Sequence, residues 1–168
     1  LNELFETPTA KEIASLVQEL LTSTKKASHK KHSPFVEEDL VLDSSITPRS
    51  PFIFEANPKE IFLTGATGFL GSYLLNELLA KTDATLHCLV RQKSPELALD
   101  RIEEISRRYN LWDPSQKHRI HVVLGDLSKP KFGIAADEYE VLANEVSTIY
   151  HCGAHLSFID PYKNLRKI

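Results

Sequence analysis

Methionine is absent from all 168 residues, position 1 included, so Leu1 is not expected to be a natural start and the chain reads as an excerpt. Only two cysteines occur, Cys88 and Cys152, which argues against a disulfide-stapled secreted fold; both read as reduced thiols of an intracellular protein. No apolar run reaches the roughly 20 residues that a membrane span needs, and the N-terminus lacks a basic-then-apolar signal pattern. No membrane is expected as a partner, and the expected location is cytoplasmic. An excess of one charge is lacking too: 20 Lys and Arg stand against 23 Asp and Glu, a net charge of −3, with no field to hold nucleic acid. The length leaves room for one ordinary domain and a short appendage, which excludes a complete two-domain enzyme. What is present is 42% apolar residues with eight Phe and five Tyr, enough to bury a core.

Four stretches differ in character. Residues 1–21 contain a helix: Thr9 followed by Glu12 forms a capping box, and Ile13, Leu16, Val17, Leu20 and Leu21 share one face that needs a partner to cover it. Residues 22–34 are polar and basic without apolar periodicity, a linker. The Lys and His cluster within them is too short to be read as a nucleic-acid patch. Residues 35–58 combine Glu37-Glu38-Asp39 with scattered apolar residues and prolines, and read as an ordered arm along the next domain.

From Lys59 to Ile168 strands alternate with helices, the pattern of a parallel sheet wrapped by crossovers. The expected elements are a strand over Glu60–Thr64, a helix over Phe69–Lys81 with Leu70, Leu74, Leu75, Leu78 and Leu79 inward, and a strand over Thr85–Val90. A helix opened by Ser94-Pro95 runs to about Tyr109, followed by a strand over Ile120–Leu124, a helix near Asp137–Asn144 and a strand over Thr148–Tyr150. This α/β pattern is the N-terminal half of a doubly wound, Rossmann-type parallel sheet, and half a sheet is expected to leave a strand edge unpaired.

Directly after the first strand comes Thr64-Gly65-Ala66-Thr67-Gly68-Phe69-Leu70-Gly71, a G-x-x-G-x-x-G spacing that opens a helix. Gly65 permits the sharp turn, Gly68 lets backbone approach a pyrophosphate, and Gly71 lets helix and strand pack closely, while the helix N-terminus offers unpaired N–H groups to the anion. A Walker loop is excluded because Gly-Lys-Ser/Thr is absent. The expected cofactor-binding residues of this loop are Gly65, Thr67, Gly68, Phe69, Leu70 and Gly71.

The residue at the end of the second strand sets the choice of dinucleotide, because a carboxylate there would accept from ribose hydroxyls whereas a cation would pair with a 2′-phosphate. That residue is Arg91, with Lys93 adding charge and Arg101 on the next helix able to reach back, so NADPH is expected over NADH. A plain surface arginine is the competing interpretation of Arg91. After the third strand, Asp126 either accepts from the adenine amino group, with Leu127 covering the ring, or satisfies its own turn. In His151-Cys152-Gly153-Ala154-His155, the small pair Gly153-Ala154 lets the cofactor come close; a zinc site would want a fourth ligand and a spacing such as C-x-x-C, so no metal is expected.

These residues resemble a known family. Ile61 to Gly71, Cys88-Leu89-Val90-Arg91, Tyr109-Asn110-Leu111-Trp112, Val122 to Leu127, Lys131-Phe132-Gly133 and Tyr150 to Ala154 running on to Pro161-Tyr162 are similar to the thioester reductase domain that ends many nonribosomal peptide synthetases. That domain is an extended short-chain dehydrogenase/reductase. Leu4 to Thr9 and the helix after them resemble the last helix of a peptidyl carrier domain. The resemblance implies a multidomain synthetase, an upstream carrier bearing a phosphopantetheine thioester, and hydride transfer from NADPH that releases an aldehyde, in some members reduced on to an alcohol. The family's Tyr assisted by Lys in a Y-x-x-x-K spacing is missing: Tyr162 has Arg166 four residues on, and no catalytic residue is assigned. Carboxylic acid, aminoadipate and fatty acyl-CoA reductases share the motif and chemistry, and a non-catalytic nucleotide-binding docking module is the alternative of another class.

Overall fold

A computed structural model describes residues 9–22, 37–48, 51, 55–157, 160 and 162–166. The expected linker, apart from Thr22, lies outside these residues, as do the stretch before Thr9 and the side chains of Leu16 and Leu20. The chain divides into two compact units, one of Leu1–Thr47 with Leu156–Lys167 and one of Pro48–His155 with Ile168.

In the first unit, helix α1 (Ala10–Thr22) begins on the capping box read from the sequence. The Glu12 N–H donates to Thr9 Oγ1 at 3.3 Å, and Thr9 donates through both its N–H (3.1 Å) and its hydroxyl (2.6 Å) to Glu12 Oε2. Ile13 is half-buried on the apolar face, while Val17 and Leu21 are exposed. A short 3-10 turn, Glu37–Leu40, carries Asp39. Arg166 grips that carboxylate with both arms, Nε to Oδ2 at 2.7 Å and Nη2 to Oδ1 at 2.8 Å, directly after the short helix Tyr162–Leu165.

The second unit is built on four parallel strands, β1 (Glu60–Thr64), β2 (Thr85–Val90), β3 (Ile120–Leu124) and β4 (Thr148–His151), in the order β3-β2-β1-β4. That order is the first half of a doubly wound sheet, and it places the topological switch between β1 and β4. Ile61 pairs in register with Leu86 and Thr148, and Leu86 with Ile120, so the four strands end at one level. Helices α2 (Phe69–Lys81), α3 (Pro95–Arg108) and α4 (Ala136–Glu145) wrap it.

Alternation along each strand divides the core into two layers. Ile61, Leu63, Leu86, Cys88 and Val90 face α2 and α3, meeting Leu75, Leu78, Ala98 and Ile102. Phe62, Leu89 and Val123 face the other way, toward Ile134 and Leu142 of α4. Buried His87 shares this second face. Its Nε2 donates to Glu60 Oε2 at 2.6 Å, and its Nδ1 lies 2.9 Å from His121 Nδ1 on the neighbouring strand, so both ring nitrogens are satisfied. β4 has a strand on one side only among the described residues, and Ile149 and Tyr150 stand exposed on it.

One expectation for α2 is corrected. Leu74, Leu75, Leu78 and Leu79 pack inward, but Leu70 is 65% exposed, because the buried face of the helix runs through Gly71, Ser72, Leu75, Leu78 and Leu79 and Leu70 projects away from it. The 3-10 turns Pro114–Arg119 and Pro130–Gly133 have no counterpart in the sequence reading. The first of them delivers Arg119 to the C-terminal end of α2, where its guanidinium donates to the carbonyls of Leu79 (2.8 Å), Thr82 (2.6 Å) and Ala84 (2.8 and 3.0 Å). It thereby takes up carbonyls that a helix end leaves unpaired. Arg119→Leu keeps much of the stem and strips these bonds, and is expected to cost about 2–3 kcal/mol. Urea unfolding should show a lowered midpoint with an unchanged slope; an unmoved midpoint would contradict this role.

Candidate functional site

The carboxyl ends of β1, β2, β3 and β4 converge on the loop Gly65–Gly68. Gly65 takes φ +75°, which reverses the chain into α2. A Cβ there would lie 2.6 Å from the backbone carbon of Cys152 and from Gly153 N, and one at Gly71 would collide with the Gly65 carbonyl. Two of the three glycines are therefore demanded by the protein's own backbone. Gly68 differs: a Cβ would meet only the Gly65 carbonyl, at 3.3 Å. Among the described residues only that moderately tight contact disfavours a side chain at Gly68, and a ligand lying against the loop would disfavour it further.

Gly68 is also the N-cap of α2, with no side-chain cap and no acidic residue in the first turn. The helix start thus has the open N–H groups and positive dipole end that hold a pyrophosphate. Thr67 is half-buried in this loop, and Phe69 and Leu70 stand 67% and 65% exposed at its rim.

Thr64, at the end of β1 and 2% exposed, was not among the residues expected to matter. Its Oγ1 accepts from the Gly153 N–H at 3.0 Å and lies 2.7 Å from His151 Nδ1, tying β1 to the end of β4. The signal available in the sequence was a hydroxyl at the last position of an otherwise apolar strand. A Cβ on Gly153 would displace the Leu127 side chain, whose Cδ1 lies 2.5 Å from that position, and crowd Thr64 Oγ1 at 3.1 Å. Ala154 follows it, exposed.

On the other flank, the Gly125 N–H donates to Val90 O at 3.2 Å, which brings the tip of β2 and the loop after β3 together. Asp126 Oδ1 accepts from the N–H (3.0 Å) and hydroxyl (2.8 Å) of Ser128, so the carboxylate does cap its own turn. Those bonds, and then Arg91, hold its pKa below the ordinary value. Oδ2 faces Arg91 Nη1 at 3.8 Å, with the Arg91 side chain 82% exposed and that of Asp126 22%. Arg101, exposed on α3, has no hydrogen-bond or ion-pair partner among the described residues.

The Cys88 thiol and the Tyr-x-x-x-Arg pair Tyr162/Arg166 fall outside this chemistry. Cys88 is fully buried, and desolvation pushes its thiol up to about 12, which makes it inert. The Tyr162 hydroxyl donates to Asp39 Oδ2 at 2.7 Å, and that bond raises its pKa, the opposite of what a proton donor assisted by a cation requires. Among the described residues no cluster of His, Cys, Asp and Glu has the geometry of a metal site, and no helix is long and apolar enough to cross a membrane.

Residues 63–168 match the family model NAD_binding_4, described as male sterility protein. The chain belongs to this family. Among the relatives of this NAD_binding_4 chain, a linear gramicidin synthase of Brevibacillus parabrevis is 41% identical over 171 residues, covering 98% of the chain. The L-2-aminoadipate reductase large subunit of Penicillium chrysogenum is 32% identical over 182 residues, covering 99% of it. In three dimensions the chain is similar to the terminal R domain from the myxalamid PKS-NRPS biosynthetic pathway, with a TM-score of 0.73 and 39% identity over 78% of the chain. The chain spans 3% and 13% of the length of the two curated relatives and 34% of the solved domain. It is thus an α/β unit of an NAD(P)-binding family, similar to part of that solved R domain.

The crowding at Gly71 yields a direct check. Gly71→Ala must push the helix off the loop, at about 2–4 kcal/mol for an overpacked backbone contact. Thermal unfolding of the variant should begin well below that of the parent, whereas Gly68→Ala, with its nearest atom at 3.3 Å, should melt close to it. Equal melting of both variants would show that the loop is not packed as described.

Proposed function

We propose that this chain supplies the NADPH-binding half of a reductase that releases a carrier-bound acyl or peptidyl thioester as an aldehyde. The observation that carries the reading is the Gly65–Gly68 loop, open at Gly68 and at the uncapped start of α2, with a cation and no carboxylate at the tip of β2. When bound, NADPH would supply the hydride that reduces the thioester carbonyl.

On this reading the N–H groups at the start of α2 hold the pyrophosphate, with Gly65, Thr67, Gly68, Phe69, Leu70 and Gly71 forming the loop around it. Arg91 pairs with the 2′-phosphate, assisted by Arg101 from α3. Once Arg91 turns to the phosphate, Oδ2 of Asp126 accepts from the adenine amino group, Leu127 covers the ring, and Gly153 and Ala154 keep the floor of the crevice low. The hydroxyl of Thr64 holds that floor in place through the Gly153 N–H. Tyr162, committed to Asp39, is not assigned as the proton donor to the carbonyl oxygen.

The stretch before Lys59 belongs to the same reading. Residues 1–21 would end a carrier domain, 22–34 would link it to the reductase, and 35–58 would begin the reductase ahead of its nucleotide-binding part at 59–168. The exposed apolar residues Val17 and Leu21 of α1 fit a helix that packs on the rest of a carrier. A match to the gramicidin synthase that runs through 98% of the chain supports that order of parts. The 32% identity to an aminoadipate reductase favours a second reading in which the same half serves that enzyme type. A cytoplasmic location accords with two free thiols.

Fluorescence titration of the folded chain with NADPH and NADH tests the assignment. NADPH should bind the more tightly, and Arg91→Asp should reverse the order by weakening NADPH about 10–100-fold, the size of a charge-assisted contact. An unchanged NADPH/NADH ratio would remove Arg91 from the site, and binding of neither dinucleotide by folded protein would sink the cofactor reading.

A further inference from the structure

The loop that carries Asp126 and Leu127 does not hold itself. Behind it, Lys131, Phe132 and Gly133 take φ of 49°, 58° and 63°, three consecutive residues in the left-handed region, two of which are not glycine. Such residues are costly to place there singly and rarer still in succession, so the surroundings must enforce the conformation. Those surroundings are visible. The Phe132 ring stacks on Phe62 of β1 at 6.0 Å, Ile134 is buried against the same core layer, and Lys131 Nζ sits 4.9 Å from the ring centre of Tyr139.

What the turn achieves is the placement of one carbonyl. Phe132 O accepts the Asp126 N–H at 2.6 Å and fills the space where a Cβ on Gly125 would lie, also at 2.6 Å. The bonds from Lys129 N to Asp126 O (3.0 Å) and from Phe132 N to Lys129 O (2.9 Å) close the loop on itself. Leu127 then projects from this clamped loop onto Gly153. A strained turn on the far side of the loop is therefore coupled by backbone to the two side chains that face the crevice.

We propose that the left-handed turn Lys131–Gly133 is a positioning element for recognition of the adenine, with Phe132 as its anchor. Phe132 touches no ligand in this arrangement; it sets where Asp126 Oδ2 and Leu127 stand. The inference rests on the cofactor reading above and adds to it a determinant that lies outside the crevice.

The test compares binding of NADPH with binding of its deaminated analogue, in which hypoxanthine replaces adenine, using the full 168-residue chain. The parent should prefer NADPH, and Asp126→Ala should abolish that preference. Phe132→Ala, which removes the stack, should weaken NADPH by about tenfold and bring the ratio of the two dissociation constants close to that of Asp126→Ala. Phe132→Leu, which keeps an apolar anchor, should restore most of the ratio. Gly133→Ala strains the turn from its other end and should lower the ratio without touching the stack, which keeps the test open if Phe132→Ala does not fold. A general loss of stability would weaken both ligands alike, so a folded Phe132→Ala or Gly133→Ala chain with the parental ratio overturns the proposal. A folded parent that binds NADPH without distinguishing the analogue overturns it as well and leaves the dinucleotide reading intact. A folded parent that binds neither ligand overturns both.

Discussion

The junction between Thr64-Gly65 and Cys152-Gly153 is the constraint on which the rest of the second unit depends. β1 and β4 run parallel and end at the same level, and the backbone of Cys152-Gly153 comes so close to Gly65 that Gly65 has no room for a side chain. A buried threonine hydroxyl fastens the contact, accepting the Gly153 N–H and meeting His151 on its other side. A buried hydroxyl left unpaired costs about 1–3 kcal/mol, so pairing it on both sides is a substantial share of what a marginally stable domain has to spare. Once the two strand ends are locked, the chain leaving β1 can turn only upward and back, and α2 begins where Gly71 meets the Gly65 carbonyl.

The crevice follows from this lock. In an open α/β sheet a ligand binds beyond the carboxyl ends of the strands where the order reverses, and that point here is the β1–β4 boundary. The two flanks are made separately. One is the uncapped start of α2, fixed by the Gly65 turn; the other is the Gly125–Leu127 loop, fixed to β2 through Val90 and to the left-handed turn through Phe132. The flanks meet where Leu127 Cδ1 reaches Gly153.

Much of this was legible in residues. β1, β2 and β3 fall on the stretches read from the sequence because buried parallel strands are short continuous apolar runs, as in Ile61-Phe62-Leu63, and each is bounded by a turn or a cap. The N-cap at Ser94 and the capping box at Thr9 were equally readable, since both partners lie three residues apart. Leu70 was misread because a leucine-rich helix offers more apolar positions than one face holds, and the face that packs is the one through the small residues Gly71 and Ser72. Contacts between residues distant in sequence escaped altogether. Thr64 and His151 are 87 positions apart, Arg119 and Leu79 are 40 apart, and nothing in the local pattern of Lys131-Phe132 announces a left-handed backbone. The candidate site shows the same division: its glycine loop was readable as a motif, whereas the hydroxyl and the carbonyl that hold its parts in place were not.

The ion pair between Arg91 and Asp126 bears on whether Arg91 is free to act as proposed. At 3.8 Å, with Arg91 82% exposed, the pair lies in water-like surroundings, where solvent screening leaves such contacts weak. A charge-assisted bond from the guanidinium to a phosphate is worth about 1.5–3 kcal/mol, so on the proposed reading a 2′-phosphate would outcompete the carboxylate for Arg91. Asp126 loses little by the exchange. Its turn is held by Oδ1 through Ser128, and its pKa is lowered first by those bonds and only afterwards by Arg91. The two oxygens of one carboxylate thus divide the work: Oδ1 builds the loop, and Oδ2 rests against a weakly held cation that a ligand can take over without disturbing the loop.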